Sequence, residues 1–247
     1  LDDAEMSRRH WDRVLEVQPD NRQALDALEA LTAEADDHVA LLDVLRRKTE
    51  LADGPEARVA LLLRRAELCE TKLDELPSAI DCYEQALVET KPREAYDGLE
   101  RLYAKSERWP DLAMHYERML DEGVGDAVEL RHRLGITQLD RLEDAWAAIE
   151  QFSAALQLDV THAPSIAALE RLMEREDHRA QAAEILEPVF LQQMAWDKVT
   201  ACLEARIAAE GDVEERKAHL QRLGQIHEDY LEDLDGALES YARLFRE

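Results

Sequence analysis

The chain has 247 residues, of which 46% are hydrophobic and 35% charged, with only eight glycines and seven prolines. This balance excludes a turn-rich β fold and favours long helices of Ala, Leu, Glu and Arg. A formal net charge of −26 repels phosphate backbones and anionic lipid, so nucleic acid and membrane are excluded as partners and a basic protein or peptide is admitted.

The first element, LDDAEMSRRHWDRVL from Leu1, carries a small residue at Ser7, an aromatic at Trp11 and an apolar residue at Val14. Spacings of four and then three place all of them on one helical face. Pro19-Asp20-Asn21 ends this helix. ALEALTAEADDH at 27–38 follows, with its Leu28-Glu29 pair. Asp53-Gly54-Pro55 is the next break, before RRAELCETKL at 64–73. LDELPSAIDCYEQAL from Leu73 then repeats the opening pattern with Ala79, Tyr83 and Ala86. Beyond Lys91-Pro92, GLERLYAKSERW at 98–109 repeats the Leu-Glu pair at Leu99-Glu100.

Gly123-Val124-Gly125 separates this part from RLGITQLDRL at 133–142 and LEDAWAAIEQFSAAL from Leu142, where Ala148, Phe152 and Ala155 recur. ALERLMERED at 168–177 and ILEPVFLQQMAW at 185–196 carry Leu169-Glu170 and Leu186-Glu187. The chain closes with RLGQIHEDYL at 222–231 and LEDLDGALESYARLF from Leu231, with Ala237, Tyr241 and Leu244. The small–aromatic copies thus start near 1, 73, 142 and 231. Together the patterns predict about 14 helices, near 1–18, 21–34, 36–51, 55–71, 75–90, 93–105, 108–122, 126–140, 143–158, 163–175, 178–193, 195–209, 212–229 and 232–247. They alternate between a first type, marked by Leu-Glu or Leu-Gly, and a second type, marked by the small–aromatic face. A small residue lets a neighbouring helix approach, and the aromatic fills the space beside it.

These motifs resemble the tetratricopeptide repeat, a helix hairpin with W-x2-L-G-x2-Y on its first helix and A-x3-F on its second. Tyr96, Leu99-Glu100 and Tyr103 match the first spacing, and Leu112 and Tyr116 the second. Leu134-Gly135 and Leu223-Gly224 supply the Leu-Gly pair. Ala148-x3-Phe152 and Ala237-x3-Tyr241 supply the second helix. The resemblance spans essentially the whole chain. It implies an all-α solenoid of stacked antiparallel hairpins in a right-handed superhelix, as one repeat domain over 1–247.

The resemblance also implies a concave groove, lined by first-type helices, that holds a segment of a partner protein. The family's groove-facing positions correspond to Glu67 and Glu70, to Asp97, Arg101 and Lys105, and to His132, Gln221, Gln225 and Glu228. The Lys and Asn set with which some members clamp a C-terminal carboxylate is absent. The expected function is a non-catalytic protein-interaction scaffold. The alternatives are an acidic chaperone for a secreted or unfolded client, and the regulatory arm of an enzyme whose catalytic domain lies outside this segment.

Two departures from the family pattern carry expectations of their own. Glu29, Glu100, Glu170 and Glu187 stand where the family has a small residue. Because a buried unpaired carboxylate is costly, those helices are expected to rotate and leave the Glu wet. Leu169-Glu170 and Leu186-Glu187 lie only 17 residues apart, so two first-type helices follow one another. This extra helix within 163–194 is expected to disturb the alternation, with Pro188 bending its helix or starting a new one.

No phosphate-binding glycine loop, zinc-protease motif or nucleophile elbow occurs, so no catalytic residue, metal or cofactor is expected. His219 and His227 can share a helical face, but His227 falls in the repeat column of Cys69 and Gln138, a structural slot. The acidic pairs Asp36-Asp37, Glu143-Asp144 and Glu232-Asp233 read as solvated helix ends. Trp11, Trp109 and Trp196 occupy core columns or their equivalents, whereas Trp146 stands away from the aromatic column. Cys69, Cys82 and Cys202 read as buried thiols of a reducing compartment. With no membrane-spanning run and no signal peptide, the expected location is cytoplasmic. The chain begins at Leu1 and stops inside the helical pattern ALESYARLFRE, so it reads as part of a longer protein. Its open ends at Trp11 and Tyr241 allow a monomer or weak association.

Overall fold

A computed structural model describes residues 2–247, with side chains from Ala4 onward. All fourteen expected helices form, and no strand occurs among the described residues. The chain divides into two compact units, one up to His115 and one from Tyr116.

The first unit holds α1 (Asp2–Val17), α2 (Arg22–Glu34), α3 (His38–Glu50), α4 (Pro55–Leu68), α5 (Leu76–Glu89) and α6 (Arg93–Lys105). Helix α7 (Trp109–Asp121) begins in this unit and ends in the next. The second unit continues with α8 (Ala127–Asp140), α9 (Ala145–Leu158), α10 (Ala163–Met173), α11 (Arg179–Gln192), α12 (Trp196–Ala209), α13 (Val213–Asp229) and α14 (Leu234–Leu244).

The helix starts follow ordinary capping chemistry. The side chains of Asn21, Asp37, Asp126, Asp144, Asp212 and Asp233 each accept a backbone N–H of the first turn that would otherwise go unpaired. Pro55 stands at the start of α4, where no helical N–H is lost.

Two kinds of turn repeat. After α2, α6 and α11, a left-handed residue (Asp36, Glu107 or Met194) is followed by an N–H that reaches back five residues. These bonds run from Asp37 to the Thr32 carbonyl, from Arg108 to Tyr103 and from Ala195 to Phe190, the pattern of a Schellman turn. After α4, α8 and α13, the left-handed residue is Asp74, Glu143 or Glu232. Here the reach is six residues, from Glu75 to Cys69, Asp144 to Gln138 and Asp233 to His227, at 2.8–2.9 Å. In the first of these the last turn of α4 widens into a π-helical stretch, Cys69–Leu73. The column of Cys69, Gln138 and His227 is therefore the turn's backbone acceptor.

The aromatic wedges meet glycines. A β-carbon added to Gly98 would lie 2.6 Å from the Tyr83 ring, one on Gly135 2.5 Å from Phe152, and one on Gly224 2.6 Å from Tyr241. A glycine in a helix interior costs about 1 kcal/mol relative to alanine. Here it admits a large ring into close contact with the helix backbone. Phe152 is fully buried, and around it α8 to α13 share one apolar cluster that includes Ile149, Leu169, Leu186, Val199 and Leu223.

The carboxylates that replace the family's small residue are not all wet. Glu187 is 3% exposed and is clamped by Arg206 at 2.5 Å and by Arg222. Glu29 is half-buried and receives Lys48 and Arg64, each at 2.5 Å. In both copies the cations lie 19 and 35 residues after the glutamate, on the next helix and on the one after it. The helices have not rotated to expose these side chains; each carboxylate is buried together with its counter-charges, which removes the penalty of an unpaired ion. Glu170 is more exposed and pairs with Lys198 at 2.6 Å.

Pro188 does not start a new helix, because α11 runs through it. The N–H it lacks would have met the carbonyl of Glu184. Both residues are exposed, which keeps the cost of the lost bond small.

Candidate functional site

In the first unit, α4 and α6 bound a concave cleft of about 510 Å³ whose lining includes Glu67, Glu70, Tyr83, Glu94, Asp97 and Arg101, with Arg64 at one side. Tyr83 can underlie this cleft because Gly98 leaves room for its ring against α6. The repeated part of the sequence thus builds the floor, and the first-type helices supply the walls.

The charges of the cleft are internally ordered. Arg101 makes a two-pronged pair with Glu70, Nε to Oε1 at 2.6 Å and Nη2 to Oε2 at 2.7 Å. This hydrogen bond, aided by the guanidinium charge, outweighs partial burial and holds the Glu70 carboxyl below the usual carboxylate range. Arg64 is turned to Glu29 at 2.5 Å. Burial pushes the Glu29 carboxyl up, but the hydrogen bonds from Lys48 and Arg64 outweigh it and leave the group lowered. Asp97 pairs with Arg93 at 2.9 Å. Glu67 and Glu94 are exposed and form no ion pair among the described residues. Four carboxylates therefore face two guanidinium groups, and both guanidinium groups are already engaged.

Five of the positions projected from the family lie in this unit. Glu67, Glu70, Asp97 and Arg101 come together in the cleft, while Lys105 is turned to Asp74 at 3.3 Å outside its lining. The other four lie in the second unit. Gln221, Gln225 and Glu228 are exposed along α13, and Glu228 accepts a hydrogen bond from the Tyr241 hydroxyl at 3.1 Å. His132 packs on Phe152 and on the edge of His162, with ring centroids 5.7 and 5.4 Å away. The buried Ser165 hydroxyl lies between the two histidines, 2.9 Å from His162 Nδ1 and 3.4 Å from His132 Nδ1. Burial, with the neighbouring His162, lowers the basicity of His132. Sequence projection missed Arg64, Tyr83 and Glu94. Glu94 carries a signal nonetheless, since it precedes Asp97 by three residues on the same helical face.

The tryptophans and thiols have structural roles. Trp146 is 59% exposed and lies edge-on to the buried ring of His178, at 5.3 Å. Trp11, Trp109 and Trp196 are only half-buried, short of the full burial a core column implies. Trp196 stacks on Tyr230 at 3.9 Å. All three cysteines are free and buried. Burial pushes the Cys69 thiol up to about 11 and that of Cys202 up to about 12, far from a reactive thiolate. Among the described residues there is no cluster of three His, Cys, Asp or Glu able to hold a metal ion, and no helix is long and apolar enough to cross a membrane.

No family model and no curated protein sequence matches the chain. Among solved structures it is similar to YrrB, described as a TPR protein with an unusual peptide-binding site, at 18% identity and a TM-score of 0.33, over 76% of this chain and 85% of that one. It is similar to a tetratricopeptide repeat protein from Parabacteroides merdae, at 14% identity and a TM-score of 0.43, over 96% and 93% of the two chains. It is also similar to the C-terminal part of a TPR repeat-containing protein from Cytophaga hutchinsonii, at 12% identity and a TM-score of 0.42, over 95% and 94%. These likenesses concern the fold alone. By its own repeated hairpins, wedges and turns, the chain is a TPR-like helical-repeat protein.

Proposed function

We propose that the chain is a protein–protein interaction module that takes a basic segment of its partner in the cleft between α4 and α6. The observation that carries this reading is the state of the charges. The cleft's guanidinium groups are held by Glu70 and Glu29, while the carboxylates of Glu67 and Glu94 stand free of ion pairs. A Lys- or Arg-bearing segment supplies the missing counter-charge, and the Tyr83 ring offers an apolar floor. Nothing in the cleft has the arrangement of a nucleophile and its base, so binding is the whole of the proposed activity.

Fluorescence anisotropy with a synthetic Lys/Arg-rich peptide and its Glu-substituted counterpart tests this reading. The basic peptide should bind, and binding should weaken with added salt. Glu67→Lys combined with Glu94→Lys should weaken it by about tenfold or more, since two attractive contacts become repulsive. Equal binding of the two peptides, or an unchanged affinity in the double variant, would sink the proposal. Arg101→Glu is a poorer probe. It would leave Glu70 beside a second carboxylate and disturb the cleft itself.

A further inference from the structure

In the second unit, helices α8 and α10 are joined by two polar links. At one end Arg171 of α10 reaches Asp140 of α8 at 3.6 Å. At the other, His132 of α8 faces His162 and Ser165 at the start of α10. The two imidazole rings stand 5.4 Å apart, and a single hydroxyl, that of the fully buried Ser165, lies within reach of both Nδ1 atoms. A hydroxyl has one proton to give and lone pairs to receive others. With both rings neutral it donates to one Nδ1 and accepts from the other, so the three side chains satisfy one another.

The charged groups facing the pair among the described residues are Glu129 and Arg133 of α8 and Asp159 in the turn before α10. Glu129 Oε2 lies 3.9 Å from His162 Nε2, and its other oxygen accepts from Arg133 Nε at 2.8 Å. A positive charge on His162 acts favourably on Asp159. Helix α9 offers only the Phe152 ring, packed on His132, and Gln151, which accepts from Arg131 at 3.1 Å. One positive charge on the pair therefore finds compensation. A second would set two cationic rings side by side, partly buried, at the positive end of α10 and with Arg133 nearby.

We propose that the pair is an acid-sensitive latch: when both rings carry a proton, the first turns of α10 part from α8, while the Arg171–Asp140 end stays joined. The latch is closed at neutral pH. Burial and the neighbouring His162 hold His132 below the ordinary histidine value. Its contribution to stability is thus present above that value and is lost as pH falls from there to the lowered folded one. Opening uncovers Ile166 of α10, which shares the apolar cluster of Phe152. The second unit would then offer an apolar surface only in mildly acidic surroundings.

The test is NMR on the whole chain, following the histidine ring signals and the exchange of backbone amides between about pH 7.5 and about pH 5. Exchange at Ile166, Ala167 and Ala168, corrected for the intrinsic effect of pH, should accelerate by about tenfold or more on acidification, while α13 keeps its protection. His132→Gln retains a hydrogen-bonding amide and cannot become charged, so it should cut that acceleration to less than about twofold. His162→Gln should do the same. Should either variant melt early at neutral pH, the ring titration and the exchange pattern of the unaltered chain decide alone. Full protection of α10 with both rings protonated overturns the proposal, and so does an acceleration that survives in both variants. A loss of protection spread evenly from α9 to α13 overturns it too, since that would be general acid unfolding.

Discussion

The cleft of the first unit and the histidine pair of the second arise from one set of parts and differ in two respects. Around the cleft, first- and second-type helices alternate regularly, and the walls are rich in carboxylates. Around the pair the alternation breaks, since α10 and α11 both carry Leu-Glu, and two imidazoles share one buried hydroxyl. Both units hold a buried or half-buried glutamate with two cations. Glu29 orients Arg64 at the side of the cleft, and Glu187 sits on α11 beside Pro188. The lesson is that the ion triads fix helix packing, while other residues on the same frame set the chemistry of each unit independently.

The largest expected effect tests whether the two triads are equivalent. Arg206→Leu combined with Arg222→Leu leaves Glu187 buried without a counter-charge and should cost about 3–5 kcal/mol in urea unfolding. Lys48→Leu combined with Arg64→Leu should cost less, about 1–2 kcal/mol, because Glu29 keeps some contact with water. Equal losses would show that burial does not distinguish the two sites.

Next come the glycine wedges. Alanine in a helix ordinarily gains about 1 kcal/mol over glycine, yet Gly135→Ala should lose about 2–3 kcal/mol because the new methyl meets Phe152. Gly224→Ala should lose less, since Tyr241 is only half-buried and its ring can give way. Gly98→Ala should also weaken basic-peptide binding, because Tyr83 floors the cleft. Thermal melts of the three variants, with anisotropy for the last, decide the order.

The smallest effect concerns pH. Glu70 is held below its unfolded value by Arg101, so its contribution is present above the ordinary carboxylate range and is lost as pH falls through the lowered folded value. Arg101→Gln should remove about 0.5–1 kcal/mol at neutral pH and flatten the acid limb of the stability curve. An acid limb of unchanged slope would mean that the pair does not contribute.

Much of this architecture is legible in the sequence. The 4-then-3 spacing at Ala148, Phe152 and Ala155 specifies both a helix and its buried face. The two hairpin patterns of the sequence carry two different turns in the fold. The triads were not legible from the local pattern, because a lone Glu29 or Glu187 reads as a solvated residue. Only the pairing of each with cations 19 and 35 residues later reveals them, and that relation crosses three helices. The same holds for Arg101, whose partner Glu70 lies 31 residues away on another helix. That Pro188 starts no new helix was open in the sequence for a different reason: a proline's effect depends on whether the carbonyl it orphans can reach water, and sequence spacing does not report that.

The turns carry a consequence of their own. Among the described residues, seven other than glycine, Asp36, Asp74, Lys91, Glu107, Glu143, Met194 and Glu232, occupy the left-handed region with φ between 52° and 56°. An L-residue with a β-carbon pays about 1–2 kcal/mol there. Glycine relieves that strain but gives back about 0.5–1 kcal/mol in chain entropy. The seven positions are thus a reserve of modest, separable gains for an engineer seeking a more heat-resistant form. Drawing on it would leave the lining of the cleft and the histidine pair unchanged.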